Sequence, residues 1–323
     1  MIENLVFEGG ASKGWAYIGA ISELNNLGYL AQIKRFAGTS VGALFAGMLA
    51  ANFTVQEIQR VHEMVDFSKM GNNSVIYSVY SILRYPGHGI LSGDSIHTEL
   101  SKILSVKNIP DTITLKELFN LTGKELVITV SNLNREKACY LHHAQYPNVQ
   151  LLDALLCSIG IPLLFRSKEY DFMGTNDYYV DGGLVDNYPI WVFNDIDALY
   201  GGTLSHVERD RIPCTTLGLK LLVPGNTNSF DVFTSRQEID SLSVYLVQLI
   251  NTMMAQIDRS IVSTSYIRQT VPIFVDSISF LKFDLGENEV RKLIQIGRES
   301  IVKYFSTENI KNESEPIGGT IDH

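Results

Sequence analysis

Cysteine is scarce: Cys139, Cys157 and Cys214 are 3 of 323 residues, too few and too scattered for a disulfide framework or a Cys-rich zinc site. This usage suits a reducing compartment. Positive charge is also short. The 26 Lys and Arg face 35 Asp and Glu, for a formal net charge of −9, which argues against a broad phosphate-binding face and removes nucleic acid from the expected partners. Long apolar runs are missing too. Residues 41–51 and 151–165 are the most apolar windows, both shorter than the roughly 20 residues of a spanning helix, and the second contains Asp153 and Pro162. No basic leader or apolar segment precedes Gly9, so the expectation is a cytoplasmic protein that meets membranes only peripherally; export by a leaderless route reads the same. What is abundant is core material. Hydrophobic residues make up 45% and charged ones 19%, enough to close a sizeable core and to exclude disorder as the dominant state.

Leu5-Val6-Phe7 is a short apolar run ending in glycines, followed by Tyr17, Ile18, Ile21, Leu24 and Leu27 at helical spacing and then Gly28 as a stop. Strand, loop, helix is the reading. The pattern repeats: apolar residues 33–37 meet Gly38-Thr39-Ser40-Val41-Gly42, and an Ala/Leu/Met-rich run over 43–51 predicts a buried helix. Repeated β-loop-α units predict an α/β fold with a central, mostly parallel sheet flanked by helices. Thr54 with Glu57, and Thr114 with Glu117, are capping boxes that start two more helices. Further strands are predicted over 125–130, 178–180, 215–222 and 271–275, and helices over 242–261 and 288–305. One domain over 1–305 accounts for these elements, with 306–323 as a mobile polar tail. Residues 68–90 and 235–265 are apolar candidates for a lid or lipid-facing element, ordinary core packing being the plainer reading of both.

Gly9-Gly10-Ala11-Ser12-Lys13-Gly14 links the first strand to the first helix. It is not a nucleotide phosphate loop, because Trp15-Ala16 stands where Lys and Ser or Thr are required. It is not a dinucleotide fingerprint either, since Ala11 occupies the second glycine position. A bend of amide groups at a helix start remains, which is what an oxyanion hole requires. Gly38-Thr39-Ser40-Val41-Gly42 has the nucleophile-elbow pattern, in which glycines permit a tight strand-to-helix turn that presents the serine. For the base, none of His62, His88, His97, His142, His143, His206 and His323 has a local setting that marks it. The chain order of ordinary α/β-hydrolases nominates His206 after an acid such as Asp181. Asp181-Gly182-Gly183 follows the strand pattern Tyr178-Tyr179-Val180 and reads either as an Asp-capped turn or as a buried carboxylate able to take a serine proton.

Glu8-Gly9-Gly10-Ala11-Ser12-Lys13-Gly14, Gly38-Thr39-Ser40-Val41-Gly42 and Asp181-Gly182-Gly183 together resemble the motifs of the patatin-like phospholipases, D-G-G-G-x-[RK]-G, G-x-S-x-G and D-G-[GA], in order and rough spacing. Weaker likenesses lie at 89–94, 158–162, 187–189 and 285–297, so the resemblance covers about residues 4–300. It implies a patatin-like three-layer α/β/α fold and a lipid acyl hydrolase without cofactor or metal, acting on phospholipid or another acyl lipid at a membrane surface. It further implies Ser40 as nucleophile, Asp181 as base and the amides of Gly9, Gly10 and Ala11 as oxyanion hole. Lys13, Gly14, Gly38, Gly42, Gly182 and Gly183 support that site. Two residues depart from the pattern: Glu8 replaces aspartate, and Ala11 replaces the third glycine, where a positive φ would be strained by a Cβ. Those departures leave open a weakly active lipid- or partner-binding module on the same fold, beside the His206 esterase.

Overall fold

The computed structural model describes residues 2–64, 89–91, 93–165, 167–195, 199–200, 215–222, 239, 245, 248–249, 252–253, 266–275 and 285–314. Strand β1 (Asn4–Phe7) leads through a 3-10 turn (Ala11–Trp15) into α1 (Ala16–Asn26), and Gly28 follows the helix with φ +79°. That left-handed stop is the use the sequence predicts for the glycine. β2 (Arg35–Thr39) runs into α2 (Val41–Ala50), then come α3 (Val55–Met64), β3 (Gly89–Leu91), α4 (Asp94–Ser105) and α5 (Leu115–Thr122). Both capping boxes form. The Thr54 and Glu57 side chains bond each other's backbone amides at 2.7 and 3.2 Å, and Thr114 and Glu117 do so at 2.8 and 3.2 Å.

The second half supplies β4 (Glu125–Asn132), β5 (Lys137–Leu141), α6 (Leu151–Ile159), β6 (Leu163–Phe165), β7 (Lys168–Asp171), β8 (Asn176–Asp181), β9 (Thr216–Leu222), β10 (Thr270–Phe274) and α7 (Glu287–Ser314). Strand order in the main sheet is β10-β9-β1-β2-β4-β8-β7, with β5 also paired to β4. The run from β10 to β4 is parallel; β5, β7 and β8 are antiparallel additions at one side. The fold is therefore the expected α/β class, with a mixed and mostly parallel sheet. α7 continues to Ser314 instead of ending near residue 305, so the first part of the expected polar tail is helix. Residues 306–314 include no proline or glycine, and Pro316 stands just beyond. The expected lid over 68–88, most of 235–265, and His206 lie outside the described residues.

Period-two burial along the strands sorts the core. Leu5 and Phe7 of β1, Phe36 of β2, and Leu126 and Ile128 of β4 pack with α1, α2 and α6, whereas Val6, Ala37 and Val127 face Tyr188, Ile190, Val192 and Phe193. Among the described residues that second face is covered mainly by the irregular stretch 188–193. α1 and α7 cross so closely that a Cβ on Gly19 would strike the Ile294 carbonyl, and one on Gly297 would strike the Ala16 carbonyl. Among the described residues no helix is long and apolar enough to cross a membrane.

Candidate active site

Among the described residues, the glycine-rich loop, Ser40 and Asp181 converge at the C-terminal ends of β1 and β2, where a parallel sheet leaves its loops free to build a site. Ser40 is the hinge between β2 and α2, with φ +56° and ψ −126°, a conformation that is costly for a residue with a Cβ and that turns the chain sharply. The flanking glycines make the turn possible. A Cβ on Gly42 would lie 2.6 Å from the carbonyl oxygens of Phe7 and Glu8, and one on Gly38 would meet the backbone of Gly42. Ser40 is buried, and its N–H donates to Ser158 Oγ at 2.9 Å; that hydroxyl donates in turn to the Thr129 carbonyl at 2.8 Å. Ser158 was not among the expected site residues. Its signal is a hydroxyl late in the apolar stretch of α6 where no cap requires one.

Asp181 ends β8 opposite Val130 of β4. Although 141 positions separate them, Ser40 Oγ donates to Asp181 Oδ2 at 2.7 Å, while Gly183 N–H donates to Asp181 Oδ1 at 2.8 Å. The aspartate backbone is fixed as well, by its N–H to the Gly160 carbonyl at 2.9 Å and by Ser131 Oγ donating to its carbonyl at 2.9 Å. Gly182 is the close approach that brings β8 in, because a Cβ there would run into the Thr129 carbonyl. Asp181 is fully buried, and removal from water pushes its carboxyl up to about 7 against the downward pull of the Gly183 and Ser40 hydrogen bonds. Among the described residues no histidine hydrogen-bonds to Ser40 or Asp181.

The glycine-rich loop lies beside this pair. Gly9 differs from the expected oxyanion donor: its N–H goes to the Asn187 carbonyl at 3.0 Å, and its own carbonyl accepts from Asn187 Nδ2 at 3.2 Å. A trans peptide directs its N–H opposite to its C=O, so Gly10 N–H points away from Asn187. Among the described residues, neither the Gly10 nor the Ala11 amide has an acceptor. Ala11 has φ +47°, the strained case that its Cβ makes expensive, by roughly 1–2 kcal/mol. Lys13 closes the 3-10 turn through its N–H to the Gly10 carbonyl at 3.1 Å, and Gly14 is buried where a Cβ would lie 2.7 Å from Val41.

Glu8, the other departure from the family pattern, is buried and forms an ion pair with Lys220 of the adjacent β9; its second oxygen accepts from Leu221 N–H at 2.6 Å. The longer acid thus reaches a neighbouring strand and fixes the start of the loop to it. Nothing in the local sequence around Lys220 signals this pairing across 212 positions. Ala11, Ser12, Trp15, Ser40, Val41, Leu44, Phe45, Ile159, Ile161 and Phe165 line a mostly apolar cleft of about 590 Å³, part of it open to solvent.

The family model for patatin-like phospholipase matches residues 5–194. Among similar proteins, the uncharacterized protein R571 of Acanthamoeba polyphaga mimivirus is 26% identical over 303 residues, which are 93% of this chain and 92% of that protein. The probable lipid hydrolase 463L of Invertebrate iridescent virus 6 is 30% identical over 190 residues, 58% of this chain and 62% of that one. Among solved structures, VipD from Legionella pneumophila superposes with a TM-score of 0.58 at 15% identity, over 95% of this chain and 67% of that one, a likeness of fold. With the motif-bearing loops assembled at one end of the sheet and the family model spanning well over half of the sequence, this chain belongs to the patatin-like phospholipase family.

Proposed function

We propose that the chain is a lipid acyl hydrolase that works through a Ser40/Asp181 dyad and an acyl-enzyme. The observation that carries this reading is the 2.7 Å hydrogen bond from Ser40 Oγ to a fully buried Asp181 carboxylate. A carboxyl raised to about 7 is matched to proton transfer near neutral pH. Ser40 Oγ attacks the ester carbonyl as Asp181 Oδ2 takes its proton. The developing oxyanion is held by the N–H groups of Gly10 and Ala11, aided by the positive end of α2. Protonated Asp181 then gives its proton to the departing alcohol, and water enters by the same route to release the acid. Trp15, Leu44, Phe45, Ile161 and Phe165 provide the apolar wall that an acyl chain needs. The iridescent-virus relative's name, a probable lipid hydrolase, agrees with this substrate class.

Labelling by a fluorophosphonate tests the nucleophile directly. One adduct per chain on Ser40, abolished in Ser40→Ala, is expected, together with turnover of mixed phospholipid vesicles. An unlabelled but folded protein would sink the proposal and leave the reading of a binding module.

A further inference from the structure

At the opposite end of the sheet from Ser40, Glu125 opens β4 and pairs in register with Arg35, the first residue of β2. About five residues of strand, roughly 16 Å, separate this end from the elbow. Here the turn after β5 brings His142 and His143 to the same place, and a carboxylate oxygen of Glu125 and a ring nitrogen from each histidine all lie within 4.8 Å of one another. His142 is fully buried, and neither of its ring nitrogens has a hydrogen-bond partner among the described residues; Nδ1 of His143 is likewise buried and unpartnered. An imidazole buried this way leaves both a donor and a lone pair unsatisfied, at a cost of about 1–3 kcal/mol for each group. Three orphaned nitrogens on two adjacent histidines beside a carboxylate are costly unless something occupies the space between them.

We propose that Glu125, His142 and His143 form a binding site for a divalent transition-metal ion of the zinc class, structural in role and separate from the Ser40 cleft. Two imidazoles and one carboxylate are a donor set suited to zinc, and three protein ligands leave one tetrahedral position for water. Zinc bonds of about 2.0–2.2 Å place donor atoms a little over 3 Å apart, so side-chain rotation on the order of 1 Å completes the site. The surroundings already orient the ligands. Tyr200 donates to Glu125 Oε1 and Arg35 Nε lies 3.5 Å from Oε2, while Glu3 takes part of the arginine charge at 4.0 Å. His143 is held flat against Phe119, with ring centroids 3.7 Å apart. The Leu199 backbone and the Gln145 side chain act on the His142 ring from outside hydrogen-bond geometry, and a small rotation of the ring lets one of them take the N–H that a metal-bound imidazole keeps. His143 is only partly buried and provides the way in. An ion here ties the start of β4 to the β5 turn.

Full-length protein stripped with EDTA and returned to chelator-free buffer should bind one equivalent of ZnCl2 in a calorimetric titration. It should take up CoCl2 with a tetrahedral absorption spectrum, and zinc should raise its thermal midpoint. His142→Gln, His143→Gln and Glu125→Gln should each weaken binding by about 100-fold or more and remove the thermal shift, whereas His97→Gln should change neither. Circular dichroism reports folding of each variant, and His143→Gln, at the least buried position, answers the question by itself where His142→Gln does not fold. Failure of the folded wild type to take up either ion, or zinc binding equal to wild type in the folded variants, would overturn the site. Ester hydrolysis should survive EDTA, so the outcome is independent of the Ser40/Asp181 reading.

Discussion

Asp181 is a carboxylate whose environment works against its charge. Between about 3.8 and about 7 the folded protein keeps a proton on Asp181 that the unfolded chain has released, so this group makes stability fall as pH rises through that window. At about 1.4 kcal/mol per pH unit, the loss is on the order of 4 kcal/mol above pH 7. Asp181→Asn should therefore abolish ester turnover, by at least about 10³-fold, yet unfold at a higher temperature than wild type at pH 8, with the difference shrinking toward pH 4. Wild-type kcat/KM on a short soluble ester should rise with pH through about 7 as the base form appears. An activity that falls over that range, or an asparagine variant less stable at pH 8, would contradict the assignment. Ala11 carries a second residue-scale cost. Glycine removes the Cβ penalty at φ +47° but adds chain entropy to the unfolded state, so Ala11→Gly should gain roughly 0.5–1 kcal/mol. Turnover should be equal or faster, measured against thermal midpoint and initial rate; a less stable variant would show that the methyl group packs usefully in the cleft.

The elbow shows how one element borrows its precision from another. Ser40 keeps its strained backbone because β2 is central in a parallel sheet, α2 is packed into the core, and Ser158 of α6 accepts the Ser40 amide at 2.9 Å. Ser158→Ala removes that acceptor and also frees the Thr129 carbonyl, costing about 1–3 kcal/mol. In the proposed mechanism Ser158 holds Ser40 in place without touching the ester, so its variant should lower kcat with little change in KM on a soluble ester, and slow fluorophosphonate labelling of Ser40. Threonine at 158 should restore part of the rate. Unchanged labelling kinetics would reduce Ser158 to a packing residue. α2 itself was legible from its apolar composition, and the capping boxes from four side chains, because these depend on neighbours a few positions apart. The short antiparallel strands β5 and β7 were not, since their pairing with β4 and β8 comes from the fold and not from a marked local period.

At the scale of the molecule, the family model ends at residue 194, but the sheet does not. β9 lies directly beside β1 and carries Lys220, the partner of buried Glu8, while β10 extends the same sheet and α7 covers α1. A fragment ending at residue 200 would expose one side of β1, leave the Glu8 carboxylate buried without its cation, and uncover Ala16 to Leu24. Expressed alone it should be insoluble or lack a cooperative thermal transition, whereas the full chain should unfold in a single one; a folded, active fragment would show that the last third is dispensable. The sequence by itself determined the α/β class, the elbow at Ser40, the glycine-rich loop and the candidate aspartate, because motif identity and hydrophobic period are properties of neighbouring residues. Tertiary structure alone decided that Asn187 claims the Gly9 amide, that Lys220 answers Glu8, that Ser158 holds Ser40, and that Glu125 meets His142 and His143. Each of those is a contact between distant positions, and only burial in a shared core, where unpaired polar groups are costly, selects which of them form.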